Sequence, residues 1–235
     1  MSRLLKILLS FVFCIFFSYA ASNPGQRSSS MSNSRYEAKD FSYLLNITEF
    51  DDELLNMHFK LYEGYVKNTN YLLEELKSLA NSKKATSYIF GALKRRLGWE
   101  FDGMRLHELY FGNMGKTSSL KSDTPLYHAI AKDFGSYNQW KEDFMATGQI
   151  RGIGWVILYL DPKNGKLINT WINEHDVGHL ATGDIILVMD VWEHAYLIQF
   201  GLNRKKYIET FFNSIDWSVA NKRYIQYQNF ENALQ

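Results

Sequence analysis

Apolar residues between Leu54 and Leu79 recur at mixed three- and four-residue steps, as Leu55, Phe59, Tyr62, Val66, Leu73 and Leu76. Such a period marks one buried stripe of an α-helix. Asp51-Asp52-Glu53 just before it supplies the acidic start that the helix dipole favours. Ser87 to Tyr110 repeats the pattern through Phe90, Leu93, Leu97, Met104 and Leu106. A third helical stretch opens on Pro125, suited to a first helical position, and runs to about Ala146. The period then changes. Gly154-Trp155-Val156-Ile157-Leu158-Tyr159-Leu160 reads as a strand, and Asp161-Pro162-Lys163-Asn164-Gly165 as a turn whose Asn-Gly signals a hairpin. Lys166 to Trp171 pairs back, Asp184 to Met189 is a third β-rich run, and helix returns after Asn203 and after Asp216. The sum is an α+β chain without internal repeats, helical over about 36–148 and then built on a three-stranded antiparallel sheet flanked by helices.

The N-terminus stands apart from this pattern. Arg3 and Lys6 precede an apolar run from Ile7 to Phe17, and Ser18-Tyr19-Ala20 offers a small-x-small cleavage site. Residues 1–20 are therefore expected to be a signal peptide, too short to span a bilayer comfortably, with export to a periplasm or beyond and no stable membrane anchor. Cys14 follows the bulky Phe11-Val12-Phe13, which does not suit a lipid attachment site. It is also the only cysteine, so the exported protein has no disulfide and no thiol chemistry. Residues 21–35, rich in Ser and Asn, read as a flexible leader. Losing Arg3 and Lys6 takes the 26 basic residues to 24 against 25 acidic ones, which removes any global case for nucleic acid or an anionic membrane as partner. Aromatics make up 16% of the chain, enough to fill a core and line a dry pocket.

Six histidines carry the candidate chemistry: His58, His107, His128, His175, His179 and His194. His58, in Met57-His58-Phe59, and His107, in Leu106-His107-Glu108-Leu109-Tyr110, sit among apolar neighbours on helices. A histidine on a buried helix face needs a hydrogen-bond partner or a metal. In Asp190-Val191-Trp192-Glu193-His194-Ala195-Tyr196 an acid and an imidazole stand four apart. They could share a helix face, or the Asp could close the preceding strand with the His in the turn after it. Imidazole plus carboxylate suits a first-row metal that changes oxidation state. His175 and His179 could form a separate metal pair, but Gly178 between them argues against a helix there. His128, on an amphipathic stretch after a proline, is expected at the surface.

The segment from Asp190 to Tyr196 closely resembles the signature of the iron/manganese superoxide dismutases. Gly152-Ile153-Gly154-Trp155 resembles that family's strand opening, and Asn213 to Trp217 with Lys222-Arg223-Tyr224 its C-terminal helical segment. His58 resembles its first ligand histidine and His107, followed by Tyr110-Phe111, its second. The resemblance implies a helical-hairpin domain over 36–120 followed by an α/β domain over 121–235. It implies one iron or manganese per subunit, held by His58, His107, Asp190 and His194 with a bound solvent, and superoxide as substrate. Tyr65 would relay protons at the substrate entrance, while Trp155, Trp192 and Tyr110 would form a dry wall. Glu193 would hydrogen-bond His194 of a second subunit, giving a two-fold homodimer.

The chain departs from the common family pattern at several positions. His58 precedes Tyr65 by seven residues rather than eight, Tyr62 stands where a histidine is usual, and Leu197 where a tyrosine is usual. One place for a solvent-binding glutamine is Gly103, which has no side chain to donate; the other lies in Asn173-Glu174-His175-Asp176, where His175 is expected to do that work. Arg204 is a candidate for steering the anion. Three rival readings differ in chemistry. A metal-binding relative without turnover is signalled by His175 and the seven-residue interval. Another mononuclear iron enzyme needs two open metal positions, and a fourth protein ligand leaves too few. A non-catalytic export-pathway binding protein would use its histidines only structurally.

Overall fold

The computed structural model describes residues 35–46, 49–116 and 118–234. The expected signal peptide and the leader up to residue 34 lie outside them. Two long helices come first, α1 (Asp52–Asn81) and α2 (Tyr88–Gly112). Helix α1 buries Leu55, His58, Tyr62, Val66, Thr69, Leu72 and Leu76, an unbroken three/four repeat. The inward residue of its last turns is Leu72, 4% exposed, whereas Leu73 is 40% exposed. His58 thus occupies a core position in the stripe. Helix α2 is capped by the Ser87 hydroxyl, which accepts from the Phe90 N–H, and its buried residues lie in the C-terminal half, from Glu100 to Phe111.

The third helical stretch is two helices, α3 (Pro125–Phe134) and α4 (Tyr137–Gly148). Gly135 takes φ 85° between them, a conformation that ends α3. Ser136 then caps α4 by accepting from the Gln139 N–H. A Gly-Ser pair inside a continuous apolar period ends one helix and starts another.

Strands β1 (Gly154–Asp161), β2 (Lys166–Asn173) and β3 (Asp184–Asp190) form an antiparallel sheet in the order β2-β1-β3. Every residue of β1 from Gly154 to Leu160 is buried, which accounts for its unbroken apolar run in the central position. At Gly154 a Cβ would lie 2.0 Å from the Ile172 carbonyl oxygen, so only glycine allows β2 this close. The register pairs Trp155 with Asp190 and Val156 with Met189. Cross-strand partners share a face. Met189 turns toward Gly148 of α4, while Trp155 and Asp190 turn toward His107 of α2. Beyond β3 come a 3₁₀ turn (Glu193–Ala195), α5 (Leu197–Phe200), α6 (Arg204–Asn213) and α7 (Trp217–Leu234). Among the described residues no helix is long and apolar enough to cross a membrane.

Candidate metal centre

The buried histidines of the two long helices meet with their rings 5.0 Å apart. Asp190 enters as the last residue of β3, and His194 lies in the 3₁₀ turn that follows. Of the two local geometries open to the Asp-x-x-x-His spacing, the chain adopts the strand end followed by a turn. The Asp190 Oδ2 lies 3.2 Å from His58 Nε2, 3.2 Å from His194 Nε2 and 3.6 Å from His107 Nε2. One donor atom from each of the four residues lies within 4.8 Å of all the others. His58, His107 and Asp190 are buried, and the His194 side chain is 20% exposed.

Several contacts aim these donors. His107 Nδ1 lies 2.6 Å from the Gly103 carbonyl and donates to it, which leaves the Nε2 lone pair facing Asp190. The Asp190 carboxylate accepts from the Trp192 backbone N–H at 2.8 Å, and its own carbonyl accepts from the Tyr207 hydroxyl. Burial pushes the His58 imidazole below its ordinary value, and burial together with neighbouring His58 pushes His107 well below it. Both are therefore neutral, as ligand histidines must be. Burial alone would raise the Asp190 carboxyl, but the neighbouring His194 and His58 imidazoles hold it well below the usual carboxylate range.

The donor set fits a redox metal. His58 Nε2 and His107 Nε2 are buried with no hydrogen-bond partner, an unfavourable state that a cation relieves. Three neutral imidazoles and one carboxylate match iron or manganese in donor type. Donors sharing a cation at about 2 Å are expected to lie about 3 Å apart.

Around the four donors, Trp155 meets His107 edge-on at 5.0 Å, Tyr110 lies 5.5 Å from His58, and Trp192 stacks on His194 at 5.7 Å. The Tyr65 ring stacks on His107 at 5.1 Å. A Cβ on Gly103 would fall 2.6 Å from Tyr65 Cδ1, so Tyr65 occupies the space that a side chain at 103 would need. His175 is fully buried and spends both ring nitrogens. Its Nδ1 accepts from the Trp155 indole N–H at 3.1 Å, and its Nε2 lies 2.7 Å from the Tyr65 hydroxyl. An indole nitrogen can only donate. His175 Nδ1 must therefore be the acceptor, Nε2 carries the proton, and the Tyr65 oxygen accepts it. Burial lowers the His175 pKa to about 4, so the ring is neutral near pH 7, and burial raises the Tyr65 hydroxyl. His175 thus contacts Tyr65, whose own hydroxyl proton points away from His175.

The other sequence candidates fall elsewhere. Tyr62 accepts from the Lys39 N–H and donates to Glu108, away from the four donors. Leu197 and Glu193 are exposed, and His128 lies at the surface. His179 does not pair with His175 as a second metal site: its ring bonds the Tyr159 hydroxyl and the His175 carbonyl. Arg204 is half-buried, with its guanidinium over Trp171 and Tyr196 and its Nη1 donating to the Gly152 carbonyl. Two neighbours were not anticipated. Trp99 meets both His175 and Trp192 edge-on, and the i, i+4, i+8 spacing of Trp99, Gly103 and His107 on one helix face was the signal available for it. Tyr207 comes from α6 and carries no local signal.

Comparison with known proteins agrees with this geometry. Residues 122–223 match the family model described as iron/manganese superoxide dismutases, C-terminal domain. The chain is 34% identical over 183 residues to "Superoxide dismutase [Fe]" of Cupriavidus metallidurans, covering 76% of this chain and 90% of that protein. It is 30% identical to "Superoxide dismutase [Fe]" of Pyrobaculum aerophilum, covering 86% and 97% respectively. It is 33% identical to "Superoxide dismutase [Mn] 1" of Haloferax volcanii, covering 82% and 96%.

Proposed function

The chain belongs to the iron/manganese superoxide dismutases, and we propose that His58, His107, Asp190 and His194 hold its metal while Tyr65 and His175 manage protons beside it. The enzyme converts two superoxide ions and two protons into dioxygen and hydrogen peroxide at one mononuclear iron or manganese site. The observation that carries this reading is the convergence of three imidazoles and one carboxylate within 4.8 Å, two of the imidazole nitrogens being buried without a partner.

The ion, when bound, supplies one-electron chemistry by alternating between its +3 and +2 states. Asp190 contributes the single negative charge of the donor set and favours the more highly charged cation. Trp155, Tyr110 and Trp192 keep the surroundings apolar, which strengthens each nearby charge. Peroxide leaves only after gaining two protons. The Tyr65 hydroxyl, directed away from His175 by the hydrogen bond it accepts, is the donor on the His107 side. His175, locked by Trp155 into the Nε2–H tautomer, fixes that orientation. Arg204 adds a half-buried cation that favours approach of a small anion.

Two further features extend this reading. Glu193, exposed beside His194, would bond the His194 of a second subunit in a two-fold homodimer. The signal-like N-terminus supports export. The test is superoxide consumption by the protein reconstituted separately with iron and with manganese. Rapid loss of superoxide, with one peroxide formed for every two ions consumed, is expected from at least one form. Stoichiometric metal without turnover in either form would instead favour a metal-binding relative that has lost the reaction.

A further inference from the structure

His175 works only if its ring stays within reach of both Trp155 and Tyr65, yet it sits on a loop. That loop begins where β2 ends. Asn173 and Val177 form an isolated antiparallel bridge, through bonds of 2.8 Å and 3.3 Å, and the Glu174 N–H donates to the Ile153 carbonyl. Glu174 takes φ 54°, strained for a residue with a side chain, and Gly178 takes φ 106°. A strained turn of this kind persists only when its surroundings hold it.

The hold on the His175 peptide itself comes from His179. Its Nε2 lies 2.8 Å from the His175 carbonyl, which can only accept, so Nε2 carries the proton. Its Nδ1 lies 2.7 Å from the Tyr159 hydroxyl and must then accept from it. Asp102 Oδ2 lies 3.8 Å from the same Nε2 and favours a proton there. Tyr159 and Trp155 stand four apart on β1 and so share one face of the strand. One strand face therefore grips the loop twice. Trp155 fixes the His175 ring directly, and Tyr159 fixes its backbone through His179.

We propose that His179 is a positioning residue for the reaction, holding the His175 backbone through its Nε2–H and thereby fixing the His175–Tyr65 hydrogen bond. The inference rests on the reading that His175 serves Tyr65. Among the described residues the His175 carbonyl accepts no other hydrogen bond. Without His179 that carbonyl loses its donor and the strained turn loses one of its ties.

Hydrogen exchange of the metal-loaded protein, followed over residues 173–178, provides a readout independent of activity. In His179→Ala exchange there is expected to quicken by about fivefold, the equivalent of one ordinary hydrogen bond, and turnover to fall by a similar factor with metal content unchanged. Gln at 179 retains an N–H at similar reach, so His179→Gln should restore both to within about twofold. His175→Ala is the reference. If it leaves turnover at the wild-type level, the reading of His175 fails, while faster exchange in His179→Ala would still establish the tie to the loop. If His175→Ala loses turnover but His179→Ala changes neither exchange nor turnover, the proposal is overturned. Should His179→Ala not fold, Tyr159→Phe removes the hydroxyl that orients His179 Nδ1. Faster exchange at 173–178 in that variant supports the proposal, and wild-type exchange overturns it.

Discussion

Gly103→Ala isolates the fit between Tyr65 and the helix beneath it. The added Cβ would stand 2.6 Å from Tyr65 Cδ1, 2.8 Å from Cε1 and 3.1 Å from Cγ. Ordinary carbon contact begins near 3.5 Å, so the ring must retreat by about 1 Å. That retreat would stretch the 2.7 Å contact between Tyr65 and His175 beyond hydrogen-bonding reach. Overpacking costs about 1–3 kcal/mol and the lost hydrogen bond about 1 kcal/mol more. Against these, replacing a helical glycine by alanine gains about 1 kcal/mol. Gly91→Ala on the same helix receives only the gain, because nothing lies within 4 Å of its added Cβ. The two variants should therefore differ by about 2–4 kcal/mol in unfolding free energy, with Gly103→Ala the less stable. Urea denaturation of the metal-loaded proteins at equal m-value reads this directly, provided unfolding is reversible. Turnover should fall in Gly103→Ala and hold in Gly91→Ala. Equal stabilities would refute the claim that Tyr65 fills the space at Gly103.

Other outcomes follow from the same contacts. Trp155→Phe removes the donor that sets the His175 tautomer and should cost about 1–2 kcal/mol of stability together with a drop in turnover, measured by denaturation and superoxide consumption. His175 has a folded pKa lowered by burial to about 4, against about 6.5 unfolded, so its contribution to stability is complete above pH 6.5 and declines as pH falls toward 4. The pH slope of unfolding in that window should be shallower in His175→Gln by up to about 1.4 kcal/mol per pH unit; an unchanged slope would contradict a buried neutral His175. Ser136→Ala, which removes the α4 cap, should cost about 1 kcal/mol without altering turnover, checked by denaturation and activity side by side. Chelation of the metal should lower the melting temperature, because an ion that binds only the folded state stabilises it, and calorimetry with and without metal tests this.

Much of the site was legible because it is local. The Asp190-to-His194 spacing lies within one turn of chain, and the buried stripe of α1 carries His58 as a polar interruption. The three strands were readable from their period and from the Asn164-Gly165 turn. Other features were less accessible for physical reasons. Either Leu72 or Leu73 satisfies a 3.6-residue period, and packing against the neighbouring helix decides between them. The break at Gly135 lies inside an apolar pattern that continues across it, so capping chemistry overrides periodicity there. The contact between Tyr65 and His175 joins residues 110 apart, and the Tyr207 hydroxyl reaches Asp190 from a separate helix. No local pattern encodes either one. Gly103 could be recognised as unable to donate, but its complementary role, making room for Tyr65, rests on a contact with a different helix.

The most direct test of the central claim is the metal content of the purified chain beside that of His194→Ala and Asp190→Ala, with superoxide consumption measured on the same samples. About one iron or manganese ion per chain is expected in the wild type, as four donors converging at one point imply. Both the bound metal and the rapid consumption should be lost in the two variants. A His194→Ala protein that kept its full complement of metal and its turnover would contradict the assignment of this cluster as the catalytic centre.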